Sequence, residues 1–280
     1  MGKSSTLGEL ADQLPLKEAY NDLFHPAAAA VGQTVSFPFR AVNLLLSPFQ
    51  KWLIQGETRM EEMSRLVSEE LKDVPQEKLT EPDPYVAVPA MQAFSYSMDC
   101  DELKKMYAKL LAKSIHVDEK ENVHPSYVEI IKQMSPLDAK SLAFIYQRKN
   151  VPMCNIRWQE KSPILWEESP KCRSLRFGRD CYVHFFCMDE GGYSDQEITV
   201  SFENLERLSL IEIKERAKLD SKYYRVFNEC DLVSLFEEEV KSHPEYNERE
   251  IALIPGFCRI TTFGRAFAEV CLSDNMEDAE

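Results

Sequence analysis

Cys181, His184 and Cys187 recur at every third residue, and cysteine and histidine are the ligands a zinc ion takes. The run 180–188 that holds them reads as a strand, however, and a strand sends successive side chains to opposite faces. Cys181 and Cys187 then share one face while His184 takes the other, so one tetrahedral metal cannot collect all three. No pair among the eight cysteines has C-x-x-C spacing. The expectation is no metal, no cofactor, and buried free thiols in a reducing compartment.

His124 and Asp138 could act as a base and its orienting partner. Their neighbours Pro125, Ser135 and Pro136 suggest a structural use instead. His124 caps the entry to a helix that has Pro125 in its first position. Asp138 sits at the third position of the next helix, where the helix dipole favours an anion. His116, Asp118, Glu119, Glu121 and His124 read as a solvated charged turn rather than as a ligand set. The nine glycines include no G-x-G, and G-x-S-x-G, H-E-x-x-H and phosphate-loop patterns are missing. With no catalytic residues to name, the chain reads as a protein that is not an enzyme.

The 280 residues carry 33 basic and 47 acidic side chains, a formal charge of −14. Such a chain is a poor general partner for nucleic acid, whose phosphates must be met by cations. One stretch runs against the balance. Lys214, Arg216, Lys218, Lys222 and Arg225 surround Tyr223 and Tyr224, an arrangement found on DNA-contacting surfaces. Residues 229–250 follow with eight acids and two cations, and each carboxylate near a phosphate opposes binding. Contact with a protein is the leading expectation, and a nucleic-acid-binding regulator is the alternative.

The elements that must position these residues fall into two kinds. From 23 to 55 there is no acidic residue, and Val42, Leu45, Leu46, Phe49, Trp52 and Leu53 follow helical spacing. Pro38 and Pro48 break the stretch, which is too interrupted for a membrane span and reads as core or as a peripheral membrane contact. Residues 57–73 form an amphipathic helix with Met60, Met63, Val67 and Leu71 on one face. Pro75, Pro82, Pro84 and Pro89 imply extended or turn structure. The clearest helix is 101–116, where Leu103, Met106, Tyr107, Leu110, Leu111 and Ile115 make a stripe and Asp99 with Glu102 has capping-box spacing. Helices at 125–134 and 137–146 follow.

Beyond Asn150 the pattern becomes β-rich, with strands expected at 174–177, 180–188, 210–213, 223–227 and 251–260, the last interrupted at Pro255-Gly256. Ser201 caps a short helix through Phe202, Leu205 and Leu208, and Thr261 or Thr262 caps a final helix at 263–272. The fold class is therefore mainly α, then α+β: a helical N-terminal half, 1–134, followed by a winged-helix-like half, 135–272. A helical insertion at 228–243 interrupts the wing, and 273–280 is an acidic tail.

Several strings form an ordered series. They are Glu81-Pro82-Asp83-Pro84, Val88-Pro89-Ala90-Met91-Gln92-Ala93, and the run from Val123-His124-Pro125 to Ser135-Pro136-Leu137-Asp138-Ala139. The series resembles the bacterial abortive-infection alpha family. His25-Pro26-Ala27-Ala28 looks like the family's opening segment; Asn204-Leu205-Glu206-Arg207-Leu208 and Thr261-Thr262-Phe263-Gly264 look like its C-terminal half. The resemblance covers about 16–272 and is most specific over 123–139, at His124, Pro125, Ser135 and Asp138. It implies a cytoplasmic bacterial protein associated with phage defence, and it supplies no catalytic residues. Acting through protein contacts, or by peripheral contact of 23–55 with the inner membrane, is the function expected.

Overall fold

The computed structural model describes residues 37–47, 57–97, 100–160, 178–186, 193–242 and 249–272. Its N-terminal half holds α1 (Phe37–Leu46), α2 (Glu57–Glu70), α3 (Pro84–Tyr96), α4 (Asp101–Ile115), α5 (Ser126–Lys132) and α6 (Pro136–Arg148). Helix α4 is the axis of this half and packs against α2, α3, α5 and α6. Every residue of its expected stripe is buried, from Leu103 to Ile115. Its N-cap is Cys100, which caps with no side-chain hydrogen bond, and Asp99 lies outside the described residues.

The acid-free stretch, where it is described, turns one apolar face into the core and leaves Arg40 and Ser47 exposed. Val42, Leu45 and Leu46 are buried on α1, which packs on α2. The hydroxyl of Ser64 donates to Asn43 Oδ1 at 2.6 Å and fixes the pair. Pro38 starts this helix rather than breaking it, because a first-turn residue has no helical N–H bond to lose. Phe49, Trp52 and Leu53 lie outside the described residues.

The expectation of extended or turn structure holds at Pro75, which is extended, and at Pro82, which lies outside any helix, but not at Pro84 and Pro89. Pro84 opens α3, and Asp83 caps it by accepting from Tyr85 N. Pro89 lies inside the helix, where a proline costs ~3 kcal/mol. Val86, Ala87, Ala90, Met91, Ala93 and Phe94 are all buried by it, and that burial outweighs the lost bond. Pro125 is likewise the N-cap of α5, one position earlier than expected.

The C-terminal half is a four-stranded antiparallel sheet, in the order β2-β1-β4-β3, with helices on both sides. Its strands are β1 (Asn150–Glu160), β2 (Gly178–Phe185), β3 (Ile211–Lys214) and β4 (Arg249–Ile260). Between them come α7 (Asp195–Arg207), a 3-10 helix (Ser221–Glu229) and α8 (Asp231–Ser242), and α9 (Thr262–Cys271) closes the chain of elements. β1 and β4 pair without a break through Cys154↔Pro255 and Met153↔Gly256, so the expected interruption does not exist. β3 reaches only to Phe257. Pro255 therefore stands where β4 is an edge on that side, the position a sheet tolerates.

Period 2 along β1 explains the layering. Val151 and Met153 join the main helical core, while Cys154 and Ile156 face a second cluster made with Phe185, Phe227 and Val233. Their β4 partners follow suit: Cys258 opposite Val151 lies in the main core, and Leu253 opposite Ile156 packs on the second cluster. The sheet thus separates the helical core from a lobe built by the 3-10 helix and α8.

Three local expectations are corrected here. The helix before β3 starts at Asp195, capped by Ser194 in a reciprocal box with Glu197; Ser201 is buried in mid-helix, donating to Ser141 Oγ at 3.0 Å. Residues 223–227 are 3-10 helix, not strand. The expected strand at 174–177 lies outside the described residues. α7 leads directly into β3, as expected, through a sharp turn: Ser209 takes a left-handed φ of 60°, Leu210 N donates to Leu205 O and Ser209 N to Glu206 O. These are the paired bonds of a Schellman ending. Thr261 caps α9, and a Cβ on Gly264 would stand 1.9 Å from Leu210 O, so only glycine lets α9 approach this turn. Lys109 of α4 donates to Leu272 O at the C-terminal end of α9, joining the two halves.

Candidate functional site

The motif residues with chemical potential are committed to one another. Ser135 N donates to Asp138 Oδ2 at 2.6 Å, and Asp138 N donates back to Ser135 Oγ at 3.1 Å, a reciprocal capping box at the start of α6. Asn204 of α7 donates its amide to Asp138 Oδ2 at 2.9 Å and to Gln133 O at 3.0 Å. Arg207 donates to Gln133 Oε1 and to Asn204 Oδ1. Asp138 is buried, and the Ser135 and Asn204 donors both meet at its Oδ2. His124 is engaged elsewhere: its Nδ1 accepts from Ser126 N at 3.1 Å and lies 2.7 Å from Ser126 Oγ. The structure does not join His124 and Asp138 into a dyad. Beside this staple runs an open groove of about 730 Å³, lined by Lys132, Ser135, Tyr193, Glu197, Val200 and Asn204.

A second cluster escaped the sequence reading. His184, at a left-handed φ of 53°, puts Nδ1 2.9 Å from Glu203 of α7 and Nε2 3.0 Å from Glu215 beyond β3. Its backbone is fixed as well, donating to Asn155 Oδ1 at 2.9 Å and accepting from Thr199 Oγ1 at 3.0 Å. Burial opposes the imidazolium charge, but the hydrogen bonds and charges of the two carboxylates outweigh it, so the pKa of His184 is raised. With both ring nitrogens so engaged, His184 works as a clasp between β2, α7 and the turn after β3. Cys187 lies outside the described residues; Cys154, Cys258 and Cys271 are buried free thiols. The glutamates of α7 are thereby assigned: Glu203 holds His184, and Glu206 accepts from Ile213 N at 2.8 Å.

The residues of 214–225 divide by role. Lys214 pairs with Glu212, which also takes Arg259 at 2.9 Å. Tyr224 is structural: its hydroxyl donates to Gly256 O at 2.9 Å and accepts from Leu219 N at 3.0 Å. Arg216, Lys218, Lys222, Tyr223 and Arg225 are exposed. The 3-10 helix explains the split, because residues three apart eclipse one another. Tyr224 and Phe227 form its inward edge, Lys222 and Arg225 a cationic edge, and Tyr223 and Val226 an apolar edge that is 49% and 44% exposed. The Lys222 ammonium lies 4.9 Å from the centre of the Tyr223 ring.

α8 packs on this helix through Val233, with Leu232 and Phe236 beside it. Its outer face carries Leu235, 62% exposed. At 100° per residue Leu235 is opposite Val233, and Asp231, Glu238 and Glu239 flank it.

Among the described residues no helix is long and apolar enough to cross a membrane, and no group of three or more His, Cys, Asp and Glu side chains could hold a metal ion. No curated protein and no solved structure matches the chain. One family model does, that of abortive infection alpha, over residues 55–271. The match takes in the staple of Ser135, Asp138 and Asn204, the Gly264 contact and the whole 214–242 lobe; it begins beyond the His25–Pro26 segment. Extending over most of the 280 residues, it shows that the chain belongs to the abortive infection alpha family.

Proposed function

We propose that this chain is a non-enzymatic phage-defence protein of the bacterial cytoplasm that acts through protein contacts made by the lobe of residues 214–242. The observation that carries the reading is the exposed Tyr223–Val226 edge beside Lys222 and Arg225. Tyrosine and arginine are enriched at protein interfaces. The polar motif residues support it from the other side, since Ser135, Asp138 and Asn204 spend their hydrogen bonds on each other.

The connectivity α6, β1, α7, β3, β4 resembles a winged helix, with β2 added at one edge and the 3-10 helix and α8 inserted in the wing. A nucleic-acid regulator is the second reading, and the exposed cations favour it. The would-be recognition helix α7 opposes it, for Glu203 and Glu206 lie on it and Arg207 is bound to Gln133 and Asn204.

The triple variant Lys218→Glu, Lys222→Glu, Arg225→Glu separates the two. Phage plating on cells expressing it should rise to the level of empty cells. Wild-type protein should show no salt-dependent affinity for duplex DNA. Wild-type binding that weakens steeply with salt and disappears in the variant would replace the first reading with the second.

A further inference from the structure

We infer that the 214–242 lobe is a self-complementary surface whose partner is the same lobe of a second copy of this chain. This deepens the protein-contact reading and rests on it. Two features of opposite character stand side by side on the lobe. The 3-10 helix offers Tyr223 and Val226 flanked by Lys222 and Arg225. Helix α8 offers Leu235 flanked by Asp231, Glu238 and Glu239. Each is an apolar knob bordered by charge, and the borders have opposite signs.

Within one chain the two features cannot meet. The 3-10 helix and α8 pack together through their inner edges, where Tyr224, Phe227, Val233 and Phe236 cluster, and the knobs point away from that contact. A two-fold axis resolves this. It brings the cationic edge of one protomer to the acidic face of its partner and, by the same operation, the acidic face of the first to the cationic edge of the second. Tyr223 and Val226 then cover Leu235 twice. A uniformly charged partner would satisfy only one of the two borders, and a neutral partner neither. Two short helices make a small patch, which belongs to the weak, conditional class of interfaces. Complementary charge in such a contact sets register and is screened by salt.

Sedimentation equilibrium of the full chain, from roughly 5 to 500 μM, spans the affinities such contacts have. At low salt the average mass should climb from 32.3 kDa toward twice that value, and 0.5–1 M salt, as an approximate screening range, should reverse the climb. Lys222→Glu/Arg225→Glu should stay monomeric, and so should Glu238→Lys/Glu239→Lys. An equimolar mixture of the two variants should regain the dimer, because both borders are again of opposite sign. A wild-type chain that stays at 32.3 kDa throughout, variants that associate as wild type does, or a mixture that fails to recover would each overturn the proposal. Phage protection by a wild-type chain shown to be monomeric would overturn self-association alone and leave contact with a different protein standing.

Discussion

The motif staple and the 214–242 lobe put charged side chains to opposite ends. At the staple, Ser135, Asp138, Asn204 and Arg207 meet one another, and the carboxylate with the most obvious chemical promise is buried under donors. In the lobe, charged and aromatic side chains stand outside a small core of Tyr224, Phe227 and Val233. A recognisable sequence string therefore marks where the fold is stitched together, and the surface proposed for a partner lies in a stretch whose local pattern misled.

The contrast breaks or sharpens under substitution. Gly264→Ala should be most damaging, because a Cβ there would collide with Leu210 O. Thermal or denaturant unfolding should show a loss at the upper end of the ~1–3 kcal/mol that overpacking costs. A loss below ~0.5 kcal/mol would mean that the α9 contact relaxes freely. Asp138→Ala should cost about 2 kcal/mol, combining a lost cap with the loss of one of the two partners of the Asn204 amide. Asn204→Ala made in the Asp138→Ala background should then cost less than it does alone, and strict additivity would show that the two do not act together.

His184 lies between the two regions and has a pH signature. Its folded pKa is raised above its unfolded value of 6.5, so its contribution is fully present below about pH 6.5 and is lost as pH rises through the folded value. Replacing His184 by Gln should accordingly destabilise by ~1 kcal/mol near pH 6 and by less near pH 9. Equal losses at both would contradict a charged clasp. The smallest effect belongs to the lobe. Lys222→Glu/Arg225→Glu should shift stability by no more than ~0.5 kcal/mol, since both side chains are exposed.

Local rules made α4, α2 and the buried face of α1 legible, because Leu103 to Ile115, Met63 to Leu71, and Val42 to Leu46 repeat with the helical period. The same rules hid α3, where four prolines outweighed the apolar residues 86–94 that tertiary burial rewards. β1 was missed because both of its faces are covered, by the helical core and by the lobe, so its sequence has no clean polar alternation. Tyr223 to Phe227 looked like a strand from its aromatic and β-branched content, and only the packing of Tyr224 and Phe227 reveals a period of three. The His184 clasp draws on Glu203 and Glu215, 19 and 31 residues away, through a strand end with irregular register and a left-handed residue. No spacing rule links those positions.

The claim that the working surface is the lobe, and not the motif groove, can be read from one photo-crosslinking measurement. A photoreactive phenylalanine analogue is placed at Tyr223 in one strain and at Val200, 56% exposed in the groove, in another. After phage infection and irradiation, position 223 should yield a discrete adduct of twice the chain's mass, and position 200 should yield none. Adducts from position 200 with none from 223 would contradict the account and return the function to the groove.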